Sequence, residues 1–297
     1  MTRSAIVTGA TGFIGGKLCA RLLADGWRVH AIVRIESDTT KLPHEPNFVL
    51  HSYDGTVKGL AVIMGLARPD AVFHLASLYL ADHYSEQVDA LLQSNVVFPT
   101  QLFESMAATG VRVLINTGTA WQHYEGESYR PVNLYAATKQ ALEDILSYYT
   151  DARDISAITL KLFDTYGVDD PRRKLIQILG DAARSGETLD ISPGEQIIDL
   201  SHIDDIVEAF VVAAERLLAT CNTLNENYFV SGERFTVREL VDQVRIAANR
   251  PLQVNLGGRP YRNREVMQPI VPTSNERLPG WEPRHTLQEA LPDLLSE

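Results

Sequence analysis

Tyr135 and Lys139 stand four residues apart in Tyr135-Ala136-Ala137-Thr138-Lys139. On a helix this spacing puts both side chains on one face. A phenol with a pKa of about 10 exchanges its proton poorly near neutrality. A neighbouring ammonium favours the phenolate and lowers that value, so the pair reads as a proton-transfer unit. An aromatic–basic pair on any amphipathic helix has the same spacing, and the weight of this one comes from its surroundings. Thr119 ends the strand-like run that closes with Asn116-Thr117-Gly118-Thr119. It is an ordinary strand-end threonine except for its place just ahead of Tyr135, where its hydroxyl can hydrogen-bond a reacting oxygen.

Upstream, Thr8-Gly9-Ala10-Thr11-Gly12-Phe13-Ile14-Gly15 joins the first strand to the first helix. Glycines there permit a tight turn and close approach of a pyrophosphate, and the helix start offers free N–H groups and a positive dipole end. Gly15-Gly16-Lys17-Leu18 is not a P-loop, because Thr11 replaces its first glycine and Leu18 follows the lysine. Arg34 follows the second strand; an arginine there can pair with the 2′-phosphate of NADP, whereas an acidic residue accepts from the 2′-hydroxyl of NAD. Arg34 favours NADP, and Glu36 and Asp38 keep NAD open.

The elements that would position these groups alternate. Strand-like runs at Ser4–Thr8, Val29–Val33, Asn47–Tyr53, Ala71–Leu75, Val111–Asn116 and Ile155–Phe163 are interleaved with helical periodicity through Phe13–Leu23, Glu86–Ala108 and Leu134–Tyr149. That pattern predicts an α/β, Rossmann-type doubly wound parallel sheet. After Phe163 glycines and prolines break the chain. The expected division is a dinucleotide-binding domain over 1–166, with segments near 195–232 returning to it. A smaller mixed α/β C-terminal substrate lobe would occupy most of 167–297.

The 297 residues carry 27 Lys plus Arg against 38 Asp plus Glu, a formal charge of −11. This excludes general affinity for nucleic acid or anionic membrane, so an anionic ligand must be met locally. Two cysteines form no disulfide framework, and no His/Cys/Asp cluster shows metal-ligand spacing, so no metal is expected. The first residues lack the apolar core of a signal peptide and no run approaches a membrane span; a cytoplasmic protein is expected.

Taken together, these motifs resemble the extended branch of the short-chain dehydrogenase/reductase superfamily (the NAD-dependent epimerase/dehydratase family) over nearly the whole chain. Gly9, Gly12 and Gly15 match its cofactor turn, Asp54 its adenine-binding acid, His74-Leu75-Ala76-Ser77 its fourth-strand motif, and Asn95 its helix asparagine. Thr119, Tyr135 and Lys139 match its catalytic Ser/Thr, Tyr and Lys, and Lys161–Gly167 its sixth-strand segment. Asn116–Tyr124, Pro131–Asp144, Ser192–Asp199 and Gly257–Met267 are similar to reductases of nucleotide-linked 4-keto-6-deoxyhexoses, the CDP-abequose and CDP-paratose synthases among them. The resemblance implies cofactor contacts by Gly9, Thr11, Gly12, Phe13, Ile14, Gly15, Arg34, Asp54, Leu75, Ala76, Ser77, Tyr135 and Lys139. It implies a nucleotide diphosphate sugar at Thr119 and Tyr135 with a phosphate contact at Arg259, and a homodimer would be usual; beside it, the basic run Arg172-Arg173-Lys174 offers Arg172 as a second cation, and Trp121 and His123 are candidates to line the sugar pocket.

The implied reaction is hydride transfer from NADPH to a C4 ketone, with Tyr135 donating the proton. Two departures bear on it. Ala120-Trp121 stands where sugar 4,6-dehydratases carry Asp-Glu, which argues against dehydration. Asp164 stands where many epimerases have Asn, and its carboxylate would repel a diphosphate. Two alternatives stay open: a nucleotide-sugar epimerase with tightly held NAD, which returns its hydride, and a non-catalytic cofactor sensor, which the retained Tyr/Lys pair disfavours; a second acid/base at His83 or His123 would open C3 or C5 epimerisation.

Overall fold

The computed structural model describes residues 2–296. The chain begins β1 (Ser4–Thr8), α1 (Phe13–Ala24), β2 (Arg28–Arg34), β3 (Phe48–Tyr53), α2 (Val57–Ala67) and β4 (Ala71–His74). It continues with α3 (Val88–Leu92), α4 (Phe98–Thr109), β5 (Val113–Thr119), α5 (Leu134–Arg153), β6 (Ser156–Leu162) and β7 (Asp164–Tyr166). Then follow α6 (Leu175–Ser185), β8 (Leu189–Ile191), β9 (Ile197–His202), α7 (Ile203–Leu218), β10 (Asn225–Val230), β11 (Glu233–Thr236), α8 (Val237–Ala248), β12 (Val254–Leu256) and α9 (Leu287–Ser296).

The main sheet runs β10-β6-β5-β4-β1-β2-β3, and every pairing in it is parallel. A parallel sheet needs cover on both faces, so its central strands read as continuous apolar runs; β1 is buried throughout. One face packs Leu18, Leu22 and Phe210 of α1 and α7 against the strands. The other packs Leu60, Phe103 and Leu142 of α2, α4 and α5. The strand order reverses between β1 and β4, where ligands of open α/β sheets gather outside the carboxyl ends.

The sequence predicts one helix over Glu86–Ala108, whereas a π-type turn at Gln93–Val97 separates α3 from α4. Pro99 lacks the N–H that would close onto the Asn95 carbonyl, so the helix cannot run on regularly there. The wide turn carries the buried Asn95. Asn133 caps α5, its Oδ1 accepting from Ala136 N at 2.9 Å, while its Nδ2 donates to Ala81 O. This cap starts the helix that bears Tyr135 and Lys139.

A second core holds α6, α8 and α9, with Leu179, Leu240 and Leu291 buried. It packs around a three-stranded sheet β11-β9-β7 and a β12-β8 pair. Within 195–232, α7 and β10 lie on the main sheet, whereas β9 belongs to the three-stranded sheet. No helix of the described residues is long and apolar enough to cross a membrane.

Candidate active site

The glycine turn is built for close backbone approach. A Cβ on Gly15 would meet Gly9 O at 2.1 Å, and one on Gly9 would meet Ala76 N at 2.6 Å. Gly12 occupies the cap position of α1 with no side-chain cap. The first N–H groups of a 12-residue helix are thereby left for an anion. The turn lines two cavities. One, of about 510 Å³, is bounded by Gly9, Thr11, Gly12, Arg34, Glu36, Tyr53 and Leu75–Leu78. The other, of about 250 Å³, is bounded by Gly9, Gly12–Gly15, Ser77, Tyr79, Thr119, Trp121, Tyr135, Lys139, Phe163, Asp164 and Arg172. The two cavities share Gly9, Gly12, Leu75 and Ser77, forming an elongated cradle whose shape fits a dinucleotide.

At its inner end Tyr135 and Lys139 are buried, while Tyr79 packs edge-on to the Tyr135 ring at 5.1 Å. Lys139 Nζ donates to Thr117 O at 2.9 Å and lies 5.9 Å from the Tyr135 ring centroid. Burial pushes the Tyr135 phenol up to about 12, against a hydrogen bond with Ser77 and the field of Arg172. The net shift is upward, where a lowering was expected: desolvation outweighs the favourable neighbours, and the phenol keeps its proton at neutral pH. Burial lowers Lys139 to about 8, with Glu143 opposing, which leaves it mostly charged near pH 7. Thr119 also lines this cavity, its Oγ1 accepting from Trp121 N at 3.3 Å.

Asn95 fixes the wall opposite. Its Oδ1 accepts from Leu78 N at 2.8 Å and Ser77 Oγ at 3.1 Å; its Nδ2 donates to Leu78 O and Thr138 Oγ1. It thus ties the Ala76–Leu78 segment to the Tyr135 helix. His74, fully buried, is held neutral by that burial, with Nδ1 2.9 Å from Thr8 Oγ1.

A third cavity, about 220 Å³, adjoins Trp121 and Asp164. His123, Tyr124, Asn133, Gln196, Asp199, Arg262 and Arg264 complete much of its lining. His123 is pinned from behind: Lys161 Nζ lies 2.9 Å from its Nε2, and Nδ1 lies 3.1 Å from Glu127 O. Burial and the Lys161 charge lower its pKa. Lys161 in turn pairs with the buried Glu143 at 3.3 Å.

Several expected contacts fall elsewhere. Asp54 accepts from Thr56 N and Oγ1 at 2.9 and 2.8 Å, and Tyr53 lines the first cavity in its place. Arg259 is exposed, with its backbone N on Ile191 O, and lines none of the three cavities; Arg262, five residues before Met267, does so instead. His83 is exposed and outside them too. Arg172 reaches the second cavity, held by Asp170 at 2.7 Å and stacked 5.1 Å over Phe13. Asp164 faces both inner cavities, but Lys174 Nζ at 3.0 Å offsets its charge, which answers the repulsion foreseen for it. Gln196 and Asp199 had no sequence-based role; both sit in the Ser192–Asp199 stretch.

The fold also assembles a group of metal-ligand type that sequence spacing concealed. His202, Asp204 and His285 bring one ligand atom each within 4.8 Å of one another. His285 lies 80 residues beyond the neighbouring Asp205, so no local spacing could announce it.

A cradle for a dinucleotide beside a buried Tyr/Lys pair is the arrangement expected of the family named above. The sequence profile of the NAD dependent epimerase/dehydratase family matches residues 5–223. The chain belongs to that family. Among characterised relatives, the CDP-abequose synthase of Yersinia pseudotuberculosis is 30% identical over 267 residues, covering 89% of this chain and 90% of the relative. The dTDP-6-deoxy-L-talose 4-dehydrogenase (NAD(P)(+)) of Kitasatospora kifunensis is 29% identical, covering 97% and 93%. The solved UDP-N-acetylglucosamine 4-epimerase from Methanobrevibacter ruminantium M1 superposes with a TM-score of 0.85 at 22% identity, over 100% and 98% of the two chains. The protein is therefore an NAD(P)-dependent, nucleotide-sugar-modifying enzyme of the extended short-chain dehydrogenase/reductase class.

Proposed function

We propose that this enzyme reduces the C4 ketone of a nucleotide-linked 4-keto-6-deoxyhexose with NADPH. The observation that carries the reading is the Tyr135 phenol, buried with Lys139 in the cavity between the glycine turn and Trp121. A reductase needs a proton donor at that point. The sequence Ala120-Trp121 after Thr119 supports reduction over dehydration, since it supplies no acid/base pair for elimination.

Gly9 to Gly15, Leu75 to Ser77 and Lys139 would hold the dinucleotide, and Arg34, exposed at the end of β2, would meet a 2′-phosphate. When bound, the cofactor supplies the hydride that turns the carbonyl into an alcohol. Tyr135 passes its proton to the carbonyl oxygen as negative charge develops there. The Thr119 hydroxyl donates a hydrogen bond to the same oxygen. Lys139, anchored on Thr117 O, keeps a positive charge beside the ring and stabilises the phenolate left behind. Trp121, His123, Arg172 and Arg262 would line the path of the nucleotide sugar, with the two arginines facing its phosphates.

Tyr135→Phe tests this. With a 4-keto-6-deoxy nucleotide sugar, NADPH consumption should fall by about 10²–10⁴-fold, while NADPH binding should stay within about twofold, roughly 0.4 kcal/mol. Full turnover in that variant refutes the mechanism. Product formation by the wild type without net NADPH consumption would instead support an epimerase with retained NAD.

A further inference from the structure

His202, Asp204, Asp205 and His285 cluster outside the three cavities. His202 caps α7, Asp204 and Asp205 lie in its first turn, and His285 stands just before α9. The two imidazoles stack with centroids 4.5 Å apart and planes at 29°. Asp204 Oδ2 lies 3.7 Å from His202 Nδ1, which Asp204 N engages at a long 3.3 Å.

Asp205 has a different place. It is buried at 3% exposure, its Oδ1 lies 2.8 Å from His285 Nδ1, and its Oδ2 accepts from His285 N at 3.0 Å. A buried carboxylate on Nδ1 fixes the proton there and leaves Nε2 with its lone pair outward. Histidines that bind metals are oriented in this way by a supporting carboxylate. Two imidazoles and one carboxylate suit zinc and its transition-metal neighbours, whereas magnesium and calcium take oxygen donors.

We propose that His202, Asp204 and His285 bind one divalent transition-metal ion of the zinc class, with Asp205 positioning His285 and water completing the coordination. Bonds of about 2.0–2.1 Å in a tetrahedron place donors about 3.4 Å apart, so a group spread over up to 4.8 Å must contract by up to about 1.4 Å. The exposed side chains of Asp204 and His285 have room for that movement. A cation at a helix start opposes the dipole, and the Asp204 and Asp205 carboxylates offset this. Lys17, whose charge reaches His202, is itself paired with Asp169 at 3.6 Å.

The ion would tie chain positions 202 and 285 together. It would also brace β7, because the Tyr166 ring packs edge-on to His202 at 5.3 Å. The site is separate from the hydride-transfer chemistry, so its loss should not remove activity.

The test uses tag-free full-length protein stripped of metal by a chelator that is then removed. Zn²⁺ is titrated in competition with a chromophoric chelator, and Co²⁺ serves as a spectroscopic probe. We expect one equivalent bound and a higher melting temperature with saturating Zn²⁺. His285→Ala and Asp204→Ala should each weaken Zn²⁺ binding at least about tenfold and remove the melting shift, and Asp205→Asn should weaken it about 10–100-fold while keeping all three ligands. Reductase activity of metal-free His285→Ala should equal that of the metal-free wild type. Asp204 is exposed and pairs with no buried charge, so Asp204→Ala separates ligand loss from misfolding. Zn²⁺ binding unchanged by His285→Ala overturns the proposal, as does its displacement by a hundredfold excess of Mg²⁺ (about 2.7 kcal/mol of mass action).

Discussion

Replacing Gly9 with alanine tests the cradle by a known displacement. Gly9 has φ +75°, and the new Cβ would stand 2.6 Å from Ala76 N and 2.8 Å from Leu75 C. Both are backbone atoms, so no side chain can swing aside. Opening the closer contact to an ordinary 3.4 Å requires the segment after β4 to retreat by about 0.8 Å in a close-packed setting. That segment is tethered by Ala76 N to Thr8 Oγ1 and by Leu78 to Asn95. Holding alanine in the left-handed region adds roughly 1–2 kcal/mol. The retreat carries Ser77 away from Tyr135, and misplacement of about 1 Å costs on the order of 10²-fold in rate. We therefore expect NADPH affinity to fall at least about tenfold, or 1.4 kcal/mol, with a lower melting temperature and a further loss in kcat. Gly16→Ala is the control: its Cβ would meet only Ala10 O at 3.4 Å, and alanine within a helix gains roughly 0.5–1 kcal/mol. Calorimetric titration and melting curves of both variants decide the matter. Wild-type NADPH affinity and melting in Gly9→Ala would refute the argument.

Arg34→Ala should weaken NADPH far more than NADH, because Arg34 lines the outer cavity and its ion-pair partner Glu36, at 3.4 Å, cannot take its place; equal effects on the two cofactors refute the NADP assignment. Arg262→Ala should raise KM for the nucleotide sugar and leave kcat nearly unchanged, whereas Arg259→Ala should change neither, and the reverse pattern would restore Arg259 as the phosphate contact. Lys139 has a folded pKa of about 8 against 10.5 in its unperturbed state. Between those values the unfolded chain holds more protons, so this group's contribution to stability rises with pH, by on the order of 3 kcal/mol in all. Lys139→Met lacks that rise, and a melting difference between it and the wild type that stays flat from neutral to alkaline pH refutes the assignment.

The parallel sheet was legible because its strands are short apolar runs between amphipathic helices, and a parallel strand buried on both faces must read that way. The Tyr135 helix was legible for a local reason too, since Leu134–Tyr149 carries helical periodicity of its own. Legibility failed where position depends on which of several partners a side chain takes in the folded chain. Asp54 matches the family's adenine-binding acid in the sequence, but Thr56 two residues on captures its carboxylate. Arg259 and Arg262 lie in an aperiodic segment, so nothing local told which would turn inward. The Asp164 charge looked prohibitive until Lys174, ten residues later, came to 3.0 Å. The Tyr135 phenol was misjudged because spacing reports the neighbouring ammonium but not the depth of burial that outweighs it.

The place of β10 at the edge of the main sheet bears on how the chain emerges from the ribosome. β10 pairs with β6 over six residues, Asn225–Val230 against Ala157–Leu162. During synthesis β6 therefore waits about 60 residues for its outer neighbour, or several seconds at roughly 5–20 residues per second. Through that interval one side of β6 presents unsatisfied backbone groups, a template for pairing with another nascent chain. A fragment ending at Tyr166 would make that interval permanent, and it should associate in a concentration-dependent way where the full chain does not. The strand that closes this edge of the main sheet is thus delivered late in synthesis.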